Sequence, residues 1–165
     1  MGAAPKINQN HPFMNREVII NLSNEMSNVL KMMAELEADF QKPFVSLDWR
    51  SPKEISVLLT LDTPNYKGKI CFHFDKKVAQ KIIENMTGSA VDENSPEMLD
   101  GVGEVSNMFY GAAKTKLNDI GFDLKISMPQ PLWTKDLPTV LESHISMVVP
   151  LKIDEKECFV EIIVF

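Results

Sequence analysis

Apolar residues recur every three or four positions along the first part of the chain. From Val18 to Phe40 these positions share one side of a helix with 3.6 residues per turn. The spacing predicts one long amphipathic helix between residues 15 and 40. Pro43 is expected to end it, because proline does not continue a helix.

The pattern changes after this helix. Residues 54–61 and 67–74 alternate apolar and polar side chains with a period of two, which predicts two strands joined as a hairpin. Asp75 then offers an N-cap and Gly88 a C-terminal glycine, so a second helix is predicted between them.

A third helix is predicted from Pro96 to about residue 120, because proline is tolerated at the first helical position and Gly121 follows the last apolar residue. Three further segments complete the order: a strand at 122–127, an irregular connection at 129–138, and a closing hairpin of strands 143–153 and 157–165. This order predicts an α/β (α+β) sandwich in which helices cover one or both faces of a mainly antiparallel sheet.

Composition narrows the class of protein. The 165 residues, 44% of them hydrophobic, suffice for one domain with a buried core, which we expect to span residues 14–165 after a flexible, polar leader at 1–13. A net charge of −6 argues against nucleic acid as a partner, because a phosphate backbone requires a basic face. No apolar run approaches the roughly 18 residues of a membrane span, so we expect a soluble, cytoplasmic protein with no membrane partner.

The cysteines and histidines of the sequence indicate neither a disulfide scaffold nor a metal site. Cys71 and Cys158 are too few for a disulfide scaffold and lie in apolar segments, so we expect buried free thiols. His11, His73 and His144 lack the spacing of metal ligands, so we expect structural or surface roles and no metal site.

The third helix is predicted to pack with one apolar side, formed by Met98, Val102, Val105, Phe109, Ala112, Ala113 and Ile120, with Lys116 projecting to the same side near the helix end.

The opposite side of this helix is polar. Glu104, Asn107, Gly111 and Lys114 all fall within about 40° of Asp100 on a helical projection. A solvated face is the simplest explanation. Two details favour a function. Glycine inside a helix lowers stability by up to about 1 kcal/mol relative to alanine, so Gly111 is explained if another surface must approach the helix closely. A carboxylate and an amide at positions i and i+3 can also reach one external point together.

These residues carry a family resemblance. The pattern Asp100-x3-Glu104-x2-Asn107-x21-Pro129 resembles the signature of the CheC/CheX/FliY family of bacterial chemotaxis phosphatases. The surrounding GEVSNMFYGAAKTKL is similar to the active helix of that family, and KGKICFHFDKKVAQKIIENMTG is similar to the strand and helix before it. The resemblance extends over about residues 54–165 and implies a CheC-like pseudo-symmetric fold.

The resemblance implies a phosphatase that hydrolyses the aspartyl phosphate of a CheY-like response regulator. Asn107 would orient the attacking water, and Glu104 would pair with the active-site lysine of the regulator. The Mg2+ would belong to the regulator, so the chain would need no cofactor of its own. The remaining motif residues would contact the partner or, for the proline, serve the structure: Asp100, Gly111, Lys114 and Pro129.

A second Glu-x2-Asn pair, Glu25 and Asn28, lies in the first predicted helix. Met32 replaces the close-approach glycine there, and no proline falls at the matching distance, which favours coincidence. The chain is therefore identified as CheX-like, with one site. CheX-type proteins are dimers, so a homodimer is expected, with edge strands such as 157–165 able to pair across the interface.

Two other functions compete with the enzyme. A protein of the same fold could serve as a non-catalytic adaptor or phosphate sink for a response regulator, although a component of that kind would not need Glu104 and Asn107. An unrelated alternative is a small-ligand domain with a pocket between sheet and helices. No glycine-rich loop or polar cluster in the sequence supports that alternative.

Overall fold

Polar side chains start the first two of the three α-helices in this structure, a computed structural model that describes residues 10–121, 123, 125–137 and 144–164. Asn15 Oδ1 accepts a hydrogen bond from the amide of Glu17 at 2.8 Å, and Asp75 caps the second helix in the same way, as predicted. The helices are α1 (Arg16–Ala34), α2 (Lys76–Thr87) and α3 (Pro96–Asp119). None of the helices in the described ranges is long and apolar enough to cross a membrane.

The first helix is shorter than the predicted 15–40. It ends where Glu35 adopts a left-handed conformation (φ 55°) and the amide of Leu36 donates to the carbonyl of Leu30. Residues Ala38–Phe40 form strand β1 instead. Their apolar side chains fit the helical period, but a strand that packs on the same core also has apolar side chains. The spacing therefore did not distinguish a helix from a strand at these residues.

The described strands are β1 (Ala38–Phe40), β2 (Phe44–Leu47), β3 (Ile55–Asp62), β4 (Lys67–Phe74), β5 (Gln130–Trp133), β6 (Ile145–Ile153) and β7 (Lys156–Val164). They form one seven-stranded antiparallel sheet in the order β1-β6-β7-β4-β3-β5, with β2 also paired to β6. The two predicted hairpins, β3–β4 and β6–β7, are confirmed.

All three helices pack on one face of the sheet. Alternate residues of β3, from Ile55 to Leu61, join the buried residues of the helices in one hydrophobic core. Ser56 and Leu58, which alternate with them, lie on the opposite face and are also buried. The central strands are therefore covered on both sides, which explains their long apolar runs.

The prediction for the connection at 129–138 was wrong in its first part, because Gln130–Trp133 form strand β5 along β3. Proline is rare inside strands, so the sequence pattern did not indicate a strand here. Pro131 is tolerated because β5 lies at the edge of the sheet. Two residues of the predicted strand at 122–127, numbers 122 and 124, lie outside the described residues. Ile126 forms one isolated bridge to Leu61.

The prediction that residues 157–165 form an edge strand was also wrong. Strand β7 lies inside the sheet and pairs with β6 on one side and β4 on the other. Its backbone groups are consequently used within the chain. In the described sheet, β5 forms one edge, and β1 and β2 form the other.

Residues 11–13, which were predicted to belong to the flexible leader, are part of the packed structure. Residues 1–9 lie outside the described part of the chain, but His11 and Phe13 are buried, and Pro12–Met14 form a short 3₁₀ turn. The side chain of His11 holds this turn in place, with Nε2 2.7 Å from the carbonyl oxygen of Lys67 at the start of β4. The apolar Pro12-Phe13 pair was the signal for this contact in the sequence.

Candidate functional site

Two glycines let α3 come close to its neighbours. A Cβ atom on Gly101 would lie 2.6 Å from the side chain of Ile83 in α2, and one on Gly103 would lie 3.0 Å from Pro131 in β5. A side chain at either position would push the helix outward. Gly111 differs, since no atom lies within 4 Å of the position its Cβ would take. Packing inside the chain therefore gives no reason for glycine at position 111.

The packed side of α3 matches the predicted apolar stripe closely. Ile120 is an exception, because 43% of its surface is exposed just beyond the end of the helix. Lys116, predicted to lie along the packed side, is exposed and reaches across to Glu25 of α1, with Nζ 2.5 Å from Oε1. The fully buried members of the stripe are Met98, Val102, Val105, Phe109 and Ala113.

The opposite side of α3 presents the predicted polar residues to solvent. Asp100, Glu104, Asn107, Gly111 and Lys114 are all exposed. The four side chains among them form no hydrogen bond or ion pair with any other residue that the structure describes. Because Glu104 and Asn107 are three positions apart on one helix, a carboxylate and an amide are available together to an external molecule.

The second Glu-x2-Asn pair is arranged differently. Glu25 is 7% exposed and its carboxylate is paired with Lys116, whereas Asn28, one turn further along α1, is exposed to solvent. The two side chains therefore do not form a joint polar surface. That this pair is a coincidence stays a prediction, and the burial of Glu25 is consistent with it.

Pro129 is half-buried directly before β5. The strand that follows it carries Pro131, the residue on which Gly103 packs. The motif proline thus directly precedes the strand that packs against α3.

Both cysteines are buried free thiols, as predicted. Burial raises the pKa of Cys71 well above its usual range and raises that of Cys158 to about 12. Cys71 Sγ does lie 3.9 Å from Nδ1 of His73. A thiol that stays protonated is a poor nucleophile, so this Cys–His contact does not form a catalytic pair.

A buried polar cluster lies on the sheet face away from the helices, although no such cluster was visible in the sequence. His73 Nε2 is 2.9 Å from Glu161 Oε2, Ser146 donates to the other carboxylate oxygen, and Ser56 Oγ is 2.7 Å from His73 Nδ1. Burial raises the pKa of Glu161, but hydrogen bonds from His73 and Ser146 hold it below its ordinary value. A lone glutamate inside the apolar run CFVEIIV was the available signal.

The cluster does not constitute a metal centre. Within the described ranges, no group of three or more His, Cys, Asp or Glu side chains is arranged to hold a metal ion. His73 uses one ring nitrogen toward Glu161 and the other toward Ser56. Both ring nitrogens of His73 are thus already engaged in hydrogen bonds within the protein.

The chain is similar to known chemotaxis proteins in sequence and in fold. The family model described as "Chemotaxis phosphatase CheX" matches residues 55–152. Chemotaxis protein CheX from Vibrio vulnificus is 29% identical, with a TM-score of 0.76 over 90% of this chain and 99% of that one. A CheC-like superfamily protein from Shewanella sp. PV-4 is 25% identical, with a TM-score of 0.77 over 92% and 99%.

A third structure shows the fold in a complex. The CheX–CheY–BeF3–Mg2+ complex from Borrelia burgdorferi matches with a TM-score of 0.69 and 21% identity, over 89% of this chain and 96% of that one. A comparison with curated protein sequences found no significant match.

Proposed function

The chain belongs to the CheX family of chemotaxis phosphatases, and from that premise we propose that it hydrolyses the aspartyl phosphate of a CheY-like response regulator. The observation that carries the proposal is the exposed face of α3, where Glu104 and Asn107 lie together without partners among the described residues. A helix that served only for packing would not need this pair. The Borrelia burgdorferi protein, crystallised with CheY, supports the class of partner.

Asn107 is proposed to position the water. A neutral amide cannot remove a proton, but it can donate one hydrogen bond and accept another, and so hold a water in line with the phosphorus. The water attacks phosphorus, the bond from phosphorus to the aspartyl oxygen breaks, and the products are inorganic phosphate and a free carboxylate. Positioning and electrostatics dominate phosphoryl transfer, so an amide suffices.

Glu104 is proposed to hold the two proteins in register. Its carboxylate would pair with the active-site lysine of the regulator, one turn of helix away from Asn107. Asp100 and Lys114 would add charged contacts along the same face, and the bare backbone at Gly111 would let the partner approach α3 closely. The Mg2+ of the reaction would be held by the regulator.

We also propose that the protein is a homodimer that pairs along the edge formed by β1 and β2. Three large apolar side chains of β2 are exposed there: Phe44 at 41%, Val45 at 67% and Leu47 at 62%. An exposed apolar edge strand favours pairing with another chain. Light scattering should give a dimer for the unmodified protein and a monomer for Val45→Lys. A monomeric unmodified protein would contradict this proposal and leave the phosphatase proposal intact.

The activity is tested with phosphorylated CheY-like regulators. Substoichiometric amounts of the protein should accelerate phosphate release through many turnovers, because a catalyst is regenerated. A parallel pull-down measures binding. Binding without any acceleration would replace the enzyme with the non-catalytic adaptor of the same fold.

A further inference from the structure

The sheet face opposite the helices contains a cavity of about 740 Å³. It lies among the sheet, the segment 49–54 that follows β2, and the residues at and after the end of β5. Ligand pockets typically enclose about 300–1,000 Å³. The cavity is separate from the exposed face of α3, and the proposed phosphatase reaction does not use it.

The floor of the cavity is fixed. His73 and Glu161 line it, and both side chains are at least nine-tenths buried. Each is held by hydrogen bonds from neighbouring strands, so neither can swing away. Leu58 and Ile163 add apolar surface beside them. Such a floor combines a planar polar ring with apolar contacts, which is the usual make-up of a small-molecule site.

Trp49 supplies an aromatic wall. It is half-buried, and its indole makes edge contacts with His73 and Phe159 at ring-centroid distances of 5.4 and 5.1 Å. The ring is thereby held in one orientation at the side of the cavity. A pre-oriented indole favours a flat, conjugated group in a ligand, because such rings gain energy by stacking or edge contact.

The rim of the cavity is basic although the whole chain carries a net charge of −6. Four cationic side chains line it, and Glu54 and Glu161 are the acidic ones among the described lining residues. Lys53 and Lys76 are already paired, with Asp75 and Glu93. Arg50 and Lys135 form no ion pair with any described residue. These two cations are therefore available to an anion that enters the cavity.

We infer that this cavity binds a small organic anion with a planar ring, the chemistry that mononucleotides and aromatic carboxylates share. The ring would lie beside Trp49 over the floor formed by His73 and Leu58. The anionic group would lie at the rim, against Arg50 and Lys135.

Intrinsic fluorescence gives a specific test, because Trp49 and Trp133 are the only two tryptophans of the chain and both line the cavity. The full-length protein is titrated with adenosine 5′-monophosphate and, separately, with benzoate. Adenosine serves as the ring without the anion, and inorganic phosphate as the anion without the ring. A saturable change with the nucleotide alone identifies a phosphate-bearing ligand, and one with benzoate alone identifies a carboxylate. The tryptophan that responds should be Trp49, so Trp133→Phe should retain the signal.

The double variant Arg50→Gln/Lys135→Gln should bind roughly tenfold more weakly than the unmodified protein, because two exposed charge pairs are lost. Lys31→Gln/Lys152→Gln is the matched control, since it removes the same charge from two exposed positions outside the cavity. Three outcomes would overturn the inference: no saturable response to either anion, equal binding of adenosine and its monophosphate, or equal losses in both double variants. A cavity closed by a second copy of the chain would give the first outcome.

Discussion

Two helices of this protein carry the same Glu-x2-Asn spacing and present it in opposite ways. On α3, Glu104 and Asn107 are both exposed, whereas on α1 Glu25 is buried against Lys116 and only Asn28 reaches solvent. The difference lies in how each pair is placed relative to the apolar stripe of its helix. A motif read as letters says nothing about which way its side chains face.

The stripe on α1 explains the burial of Glu25. On a helical projection Glu25 falls within about 60° of Val18, Leu22 and Val29, among the residues that pack on the rest of the molecule. On α3 the buried stripe from Met98 to Ala113 leaves the motif on the other side. The local periodicity thus contained the distinction between the two pairs, although the motif itself did not.

The largest expected effect is that of Asn107→Ala. Loss of one preorganised polar group typically lowers a rate by about 10²–10³, and we expect phosphate release to fall by that amount. Regulator binding should change little, because the amide acts on the water. Single-turnover phosphate release and a binding titration separate the two. Hydrolysis at the unmodified rate would remove the enzymatic role of this residue.

Glu104→Ala should be next in size and should weaken binding as well as turnover. Removing one partner of a partly desolvated charge pair costs about 2 kcal/mol at the low end, which is roughly 30-fold in affinity. Glu37→Ala, an exposed glutamate outside α3, controls for the loss of one negative charge. If both variants bind the regulator equally well, Glu104 does not contact the partner lysine.

Gly111→Ala should separate folding from docking. A Cβ at this position meets no atom within 4 Å, so alanine should raise the free energy of unfolding by up to about 1 kcal/mol. The same methyl group should weaken regulator binding several-fold if the partner approaches the bare backbone. Denaturant unfolding and a binding titration on one preparation test both effects. A more stable variant that binds as well as the unmodified protein would exclude close approach at Gly111.

Lys116→Ala tests how much the ion pair with the buried Glu25 contributes to stability. It leaves the carboxylate of Glu25 without its cation, and the expected cost is about 1 kcal/mol of unfolding free energy, because solvent still screens the half-exposed lysine position. Adding Glu25→Gln should recover most of the loss. Phosphatase activity should be unchanged throughout. A variant as stable as the unmodified protein would show that the ion pair is energetically neutral.

Asn28→Ala should have the smallest effect. An exposed side chain away from special features usually contributes less than about 0.5 kcal/mol, so activity should stay within about twofold of the unmodified rate. The comparison with Asn107→Ala on the same substrate is the direct contrast between the two helices. A tenfold loss would reveal a second working site on α1.

Local signals were sufficient for much of the fold. The hairpins β3–β4 and β6–β7, the cap at Asp75 and the extent of α3 all follow from periodicity and capping residues near in sequence. The shared exposed face of α3 followed from helical geometry alone. Errors occurred where distant residues decide the outcome, as at β1, where apolar side chains fit a helix and a strand equally well.

Sheet order is the clearest feature that the sequence could not supply. Residues 157–165 were expected at an edge because they come last, yet β7 lies between β6 and β4 since strand pairing is set by which surfaces pack together in space. The meeting of Glu161 with His73, 88 positions apart, is another consequence of that pairing. By itself, the sequence determined the elements and the side of α3 that faces solvent, because those depend on neighbours within one or two turns. Only the tertiary structure decided that Glu25 is paired with Lys116 and that a cavity lies behind the sheet, because both depend on contacts between segments far apart in the chain.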